Sequence, residues 1–203
     1  DTLVGNNTAS TWALAGGDAG TLTDANGANA FTGIANLTGG SAADDFNFAN
    51  GATISGVING GSGLDTLNWS AYTTARNVTL TAAGADGFNG SEASVSTFQN
   101  INVITGSATA AGSLTGTANA ATWNVNGANS GTYTSGNLNL FSNFQTLNGG
   151  AGDDSFIIAA AGSLGGTVNG NAQTGADTLN VSAKGGAVTI DLNTGATTGA
   201  GLG

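Results

Sequence analysis

The sequence has no proline, cysteine, methionine or histidine, and only 7% of its 203 residues are charged. Ordinary globular domains carry roughly 25% charged residues, so this composition is unlike that of a typical soluble enzyme. With no histidine, and with Arg76 and Lys184 as its only basic residues, the chain has few of the groups that acid–base catalysis uses. We therefore expect a protein that is not an enzyme.

Positive charge is scarce in this chain. Twelve acidic residues against two basic ones give a formal net charge of −10, so there is no basic surface for phosphate groups or anionic lipids. No stretch approaches the roughly 18 apolar residues that a membrane-spanning helix needs. We expect neither nucleic-acid binding nor membrane insertion.

What the sequence does contain is typical of short strands and tight turns. Its 36 glycines stand among threonine, asparagine and serine, with valine, isoleucine, leucine and aromatic residues throughout. Apolar residues alternate with polar ones, a period of two that places one set of side chains on a single face of a strand. This alternation occurs at Phe46 and Phe48, Leu67 and Trp69, Trp123 and Val125, Phe156 and Ile158, Leu179 and Val181, and Val188, Ile190 and Leu192.

The chain contains nearly two copies of one unit, so that Leu114 in the second copy corresponds to Leu3 in the first. Matching stretches are Leu3-Val4-Gly5 with Leu114-Thr115-Gly116, Leu37-Thr38-Gly39-Gly40 with Leu147-Asn148-Gly149-Gly150, and Val78-Thr79-Leu80 with Val188-Thr189-Ile190. We therefore expect residues 1–203 to form one continuous segment of two units, at about 3–113 and 114–203. Because the sequence starts at Asp1 without an initiator methionine, we expect an excerpt of a much longer chain.

A shorter period lies inside each unit. An apolar residue, a polar residue and glycine recur at the same spacing in both units, from Leu37 to Ile58 and from Leu147 to Val168. A coil of about 22 residues with two short strands explains this spacing. The sequence thus predicts an all-β fold, a right-handed parallel β-solenoid of the β-helix or β-roll kind, since parallel crossovers are right-handed.

Two turns satisfy the nine-residue pattern GGxGxDxUx, at residues 60–68 and 149–157. They resemble the calcium-binding repeats of RTX proteins, the hemolysin-type repeats of secreted toxins, proteases and giant adhesins. The strict pattern occurs once per unit, whereas RTX arrays repeat it without interruption. The longer unit is similar to the repeats of giant bacterial surface adhesins. These resemblances imply an extracellular or cell-surface location.

In the RTX family the glycine-rich turns bind Ca²⁺ through aspartate carboxylates and backbone carbonyls. Turns one coil apart would stack, which gives two candidate ligand sets: Asp44, Asp45 and Asp65, and Asp153, Asp154 and Asp177. Carboxylate oxygens suit Ca²⁺. The alternative is that each aspartate caps a glycine turn without a metal.

For function, the sequence favours a structural rod of a giant extracellular or cell-surface bacterial protein, a stiff spacer or filament for adhesion or matrix. Open ends and sparse charge predict self-association, end-to-end or laterally. The alternative is an adhesive module that binds glycans or a surface through an Asn/Thr-rich face. Ice binding is the weaker variant, because the threonines form no regular column.

Overall fold

The computed structural model describes residues 1–171, 175–185 and 200–201. This part of the chain consists of β-strands and turns, so the prediction of an all-β fold is confirmed. No helix in it is long and apolar enough to cross a membrane. The predicted repeat at Val188-Thr189-Ile190 lies outside the described residues.

The strands are short, as the density of glycine and asparagine turns predicts. In chain order they are β1 (Thr2–Val4), β2 (Ser10–Gly16), β3 (Ala19–Asp24), β4 (Gly27–Thr32), β5 (Asn36–Gly40), β6 (Asp44–Phe48), β7 (Ile54–Gly61), β8 (Thr66–Asn68), β9 (Asn77–Ala83), β10 (Phe88–Glu92), β11 (Val95–Ile101), β12 (Val103–Thr105), β13 (Ser113–Thr115), β14 (Thr122–Gly127), β15 (Ser130–Ser135), β16 (Asn137–Ser142), β17 (Thr146–Asn148), β18 (Ser155–Ile158), β19 (Thr167–Asn169), β20 (Thr178–Asn180) and β21 (Ala200–Gly201).

These strands form two large sheets. Sheet A has the order β1-β5-β7-β11-β10-β9-β13-β17-β19-β21, and sheet B has the order β4-β3-β2-β6-β8-β12-β16-β15-β14-β18-β20. The chain passes repeatedly from one sheet to the other, and strands from successive passes pair in parallel. Leu37 of β5 lies beside Ile58 of β7, and Phe46 of β6 lies beside Leu67 of β8.

Among the described residues, three antiparallel meanders interrupt this parallel pattern: β2-β3-β4, β9-β10-β11 and β14-β15-β16. The solenoid predicted from the sequence has parallel strands throughout, so these meanders depart from the prediction. Alternation with a period of two is the same in parallel and antiparallel strands, so only turn chemistry separates the two. Asp18 and Asn129, at equivalent places, both adopt φ of 51°, and Gly87 adopts 74°, which suits tight hairpin turns.

The meanders let the two sheets advance by the same number of strands from one unit to the next. One meander lies in sheet A and one in sheet B between β1 and its counterpart β13. Sheet A therefore advances by six strands from β1 to β13, and sheet B advances by six from β4 to its counterpart β16.

The core lies between the sheets and contains the inward-pointing residues of the alternating strands. Trp12 stacks on Phe46 with ring centroids 5.2 Å apart, and Trp123 stacks on Phe156 at 5.6 Å. Because each aromatic pair joins neighbouring parallel strands, these contacts hold adjacent strands in register as well as filling the interior.

Candidate functional site

Asp44, the first residue of β6, and Asp65, the residue before β8, lie one above the other at the edge of the core. Both are fully buried, at 0% exposure. The backbone N–H of Asp44 donates to Asp65 Oδ1 over 3.0 Å, and the N–H of Asp65 donates in turn to Asn102 Oδ1, also over 3.0 Å. Each of these acceptor side chains thus binds the backbone of the neighbouring strand.

Asp44, Asp65 and Asn102 form a row of side chains across neighbouring strands. Ser10 ends this row on the side of Asp44, where its Oγ donates to Asp44 Oδ1. A second, shorter row lies further along the chain, where the N–H of Asp154 donates to Asp177 Oδ1 over 2.8 Å. We call the four carboxylates Asp44, Asp65, Asp154 and Asp177 the aspartate column.

A glycine faces each carboxylate of the aspartate column. A Cβ atom at Gly39 would overlap Asp44 Oδ2, and one at Gly149 would overlap Asp154 Oδ2. Gly60 stands in the same relation to Asp65, and Gly170 to Asp177. The recurring glycine in the sequence is therefore explained by the space that each carboxylate occupies.

The two rows differ at the position of Ser10. Ala121 is the counterpart of Ser10 in the second row and has no hydroxyl to donate. Within the described part of the chain, both carboxylate oxygens of Asp154 are buried without a partner, whereas Asp44 and Asp65 each have only Oδ2 unpartnered. An unpartnered buried oxygen costs free energy, so the second row is less well satisfied than the first.

Burial raises the pKa of three of these carboxylates, those of Asp44, Asp65 and Asp154. The pKa of Asp65 is raised to about 7, mainly by loss of solvation. The hydrogen bond from the Asp44 amide opposes this rise, and the neighbouring carboxylate of Asp44 contributes to it. Loss of solvation likewise raises the pKa of Asp154 to about 6, with Asp177 adding to the effect. The pKa of Asp44 is also raised by burial, while the hydroxyl of Ser10 opposes the shift. Asp65 and Asp154 are thus groups of the aspartate column that can bind protons near neutral pH.

The structure brings together only part of each predicted ligand set. Asp44 lies against Asp65, and Asp154 lies against Asp177, as stacking of successive turns predicts. Asp45 and Asp153 are exposed. For Asp45 the reason is that adjacent residues of β6 point to opposite faces.

A calcium ion takes six to eight oxygen ligands at about 2.3–2.6 Å. In the first row, Oδ1 of Asp44 and of Asp65 already accepts a hydrogen bond, and Oδ2 of each lies against a glycine. Among the described residues, no group of three or more acidic, histidine or cysteine side chains is placed to hold a metal ion. The arrangement therefore does not fit a calcium site of the kind that the resemblance implies, and calcium stays a prediction for experiment.

Sequence reasoning missed three contributors to this site: Ser10, Asn102 and Asp86. Asn102 Nδ2 donates to Asp86 Oδ1 over 3.1 Å, and Asp86 Oδ2 accepts from the N–H of Gly63 over 2.9 Å. Asn102 is reached only after the β9-β10-β11 meander, so the period that relates one coil to the next does not lead to it. The one available signal was the change from Ser10 to Ala121 between otherwise matching stretches.

Comparisons with protein-family models, with curated proteins and with solved structures found no match for this chain.

Proposed function

We propose that this chain is a stretch of right-handed parallel β-solenoid, with two short strands in each coil of about 22 residues, interrupted by meanders. It serves as a stiff spacer or filament of a giant extracellular or cell-surface bacterial protein. The single observation that carries the proposal is the repeated passage of the chain between two sheets, with successive passes pairing in parallel and in register.

Contacts along the stacking direction support a rod. Asn68 Nδ2 donates to Asn47 Oδ1 over 2.9 Å, between residues that occupy the same place in successive coils. Backbone ladders, asparagine contacts, aromatic stacks and the aspartate column all join neighbours along one direction. Such an array resists bending because each coil is bonded to the next on both sheets.

The basic residues of the chain are engaged in structural contacts, which supports a function without catalysis. Arg76 forms an ion pair of 3.1 Å with the buried Glu92 and lies 4.2 Å from the ring centroid of Tyr72. Lys184 Nζ donates to the backbone carbonyl of Gly162. Neither Arg76 nor Lys184 belongs to a row of the aspartate column. The basic residues that usually accompany a catalytic carboxylate therefore lie elsewhere.

Small-angle scattering tests this proposal. Ten strands at about 4.8 Å each predict an elongated particle of about 48 Å. Adding one six-strand unit should lengthen it by about 29 Å at a constant cross-section. A cross-section that grows with the added unit, or a flexible string of separate bodies, would contradict a rod.

A second candidate is the adhesive module, favoured by one surface groove. Leu64, Leu138 and Leu140 line it and are 57%, 53% and 39% exposed. Asp86 and Asn137 also line it, so apolar contact and hydrogen bonding are available to a sugar ring or a surface group. Exposed apolar side chains that cluster are typical of binding surfaces.

Glycan-array binding by the isolated chain tests this candidate. Leu138→Asn should abolish any specific signal, whereas Val4→Asn, a similarly exposed apolar position elsewhere on the chain, should leave it unchanged. No binding, or binding that survives Leu138→Asn, would remove the groove from consideration.

A further inference from the structure

Both sheets have an open edge at the same end of the stack. Within the described residues, β1 is the last strand of sheet A and β4 is the last strand of sheet B at this end. Their counterparts in the second unit, β13 and β16, are interior strands that pair in parallel with β9 and β12. There Leu114 lies beside Val78, and Phe141 lies beside Ile104.

Burial differs between these equivalent positions as the pairing predicts. Phe141 is buried, whereas its counterpart Phe31 is only half-buried. Asn139 is fully buried and donates from Nδ2 to the carbonyl of Ile101 over 3.4 Å, whereas its counterpart Asn29 is exposed. A neighbouring strand thus covers Phe141 and Asn139 in the second unit, whereas no strand of the described residues covers the equivalent side of β4 in the first unit.

Resting on the rod function above, we propose that the edge formed by β1 and β4, the β1/β4 edge, docks a further unit of this same sequence type. That unit places a strand equivalent to β9 beside β1 and a strand equivalent to β12 beside β4, both parallel. Leu3 then takes the environment of Leu114, and Phe31 takes that of Phe141. The occupant is of this sequence type because the contact already exists once inside the chain, with matching strand lengths and side chains.

The geometry of this contact makes it directional. The docking unit contacts the β1/β4 edge through a different surface, which consists of its strands equivalent to β9 and β12. A contact between unlike surfaces extends an array instead of closing a dimer. Unpaired backbone N–H and C=O groups along both open strands supply the hydrogen bonds for such growth.

A tandem protein tests the docking. Residues 1–112 are placed directly before residues 2–203, which keeps the natural separation between Leu3 and Leu114 and retains Gly112 at the junction. Asp1 is left out there, because a Cβ at the Gly112 position would overlap the carbonyl of Arg76. The 203-residue chain itself is the reference.

The measurement is amide hydrogen exchange at Ala30, in the copy that follows the junction. Its counterpart Leu140 donates its N–H to the carbonyl of Asn102 over 2.8 Å. We expect exchange at Ala30 to slow at least about 100-fold in the tandem protein relative to the single chain, because an edge amide becomes a ladder amide. Equal exchange in the two proteins would overturn the proposal.

Charge variants give an independent arm of the same test. Asn29→Asp should be neutral in the single chain, where the side chain is exposed, but should remove the protection of Ala30 in the tandem protein. Asn119→Asp, in an exposed turn away from the edge, should change neither protein. Full protection of Ala30 in the tandem Asn29→Asp variant would count against the proposed register.

Scattering of the tandem protein separates the two proposals. If Ala30 stays unprotected while the particle lengthens at constant cross-section, the docking inference fails and the rod function stands. If the tandem protein forms one globular body, the rod function fails.

Discussion

The carboxylate of Asp65 accepts a hydrogen bond of 3.0 Å from the backbone amide of Asp44, 21 residues earlier in the chain. Asp177 does the same for Asp154 over 2.8 Å. In both cases an acid of the aspartate column bonds to the backbone of the neighbouring strand. Because burial raises the pKa of Asp65, the stability of the folded chain is linked to the ionisation of that acid.

The first prediction concerns pH. In an unfolded chain the pKa of an aspartate is about 3.9, whereas burial raises the pKa of Asp65 to about 7 in the folded protein. As pH rises between these values, the unfolded state releases its proton and the folded state keeps it. The free energy of unfolding should therefore fall between about pH 4 and about pH 7, by up to about 1.4 kcal/mol per pH unit per group, and then level off.

Asp65→Asn should reduce this slope and raise stability above about pH 7, because a neutral amide replaces a carboxylate that is costly to ionise when buried. Urea unfolding at a series of pH values measures the effect. The exposed Asp45→Asn serves as the matched control and should leave the slope unchanged. A slope of the same size in wild type and Asp65→Asn would show that the acid responsible lies elsewhere.

The second prediction concerns calcium. Since the arrangement of the aspartate column does not fit a calcium ion, thermal melting near neutral pH should give the same midpoint in excess EDTA and in millimolar Ca²⁺. A ligand that binds only the folded state would raise the midpoint with its concentration. A calcium-dependent rise that Asp65→Asn abolishes would show that the column rearranges to bind the metal, as the RTX-like turns imply.

The third prediction concerns the glycines that face the carboxylates. Gly39→Ala should destabilise the chain by about 1–3 kcal/mol, because the new Cβ overlaps both Asp44 Oδ2 and the carbonyl of Gly60. Gly16→Ala is the control, since its Cβ would meet nothing closer than Ala19 Cβ at 4.0 Å. Chemical denaturation of both variants gives the comparison, and equal stabilities would contradict close packing at Gly39.

The fourth prediction uses the natural difference between the two rows. Ala121→Ser should restore a donor next to Asp154, raising stability near neutral pH by about 1 kcal/mol and lowering the pKa of Asp154. Ser10→Ala should have the opposite effect at Asp44, whose Oδ1 loses the hydroxyl that binds it. NMR titration of the two carboxyl groups reports the pKa changes directly. Shifts in the same direction for both variants would refute this account.

Sequence reasoning succeeded where a regular spacing along the chain determines which way a residue faces. Alternation placed Phe46 and Phe48 inside the core, and the regular spacing of the glycine turns brought Asp44 beside Asp65. In each case a period fixed the facing of the residue without knowledge of the neighbouring strand.

Sequence reasoning failed where the contacts of a residue depend on which strand lies next to it. Ser10 is 34 residues from Asp44, and Asn102 is 37 residues from Asp65. Both separations exceed the predicted period of about 22 residues, because a meander lies within each of them. A fixed period does not predict such insertions. Aspartate is also too common in other loops for Asp18 to predict a hairpin.

The equal advance of the two sheets has a consequence for the shape of longer arrays. A meander adds two extra strands, about 10 Å, to the sheet that contains it. If a unit kept the meander of one sheet and lost that of the other, one side would be longer and the unit would become a wedge. Successive wedges would follow an arc, so the gain or loss of a single hairpin would suffice to change straight growth into curvature.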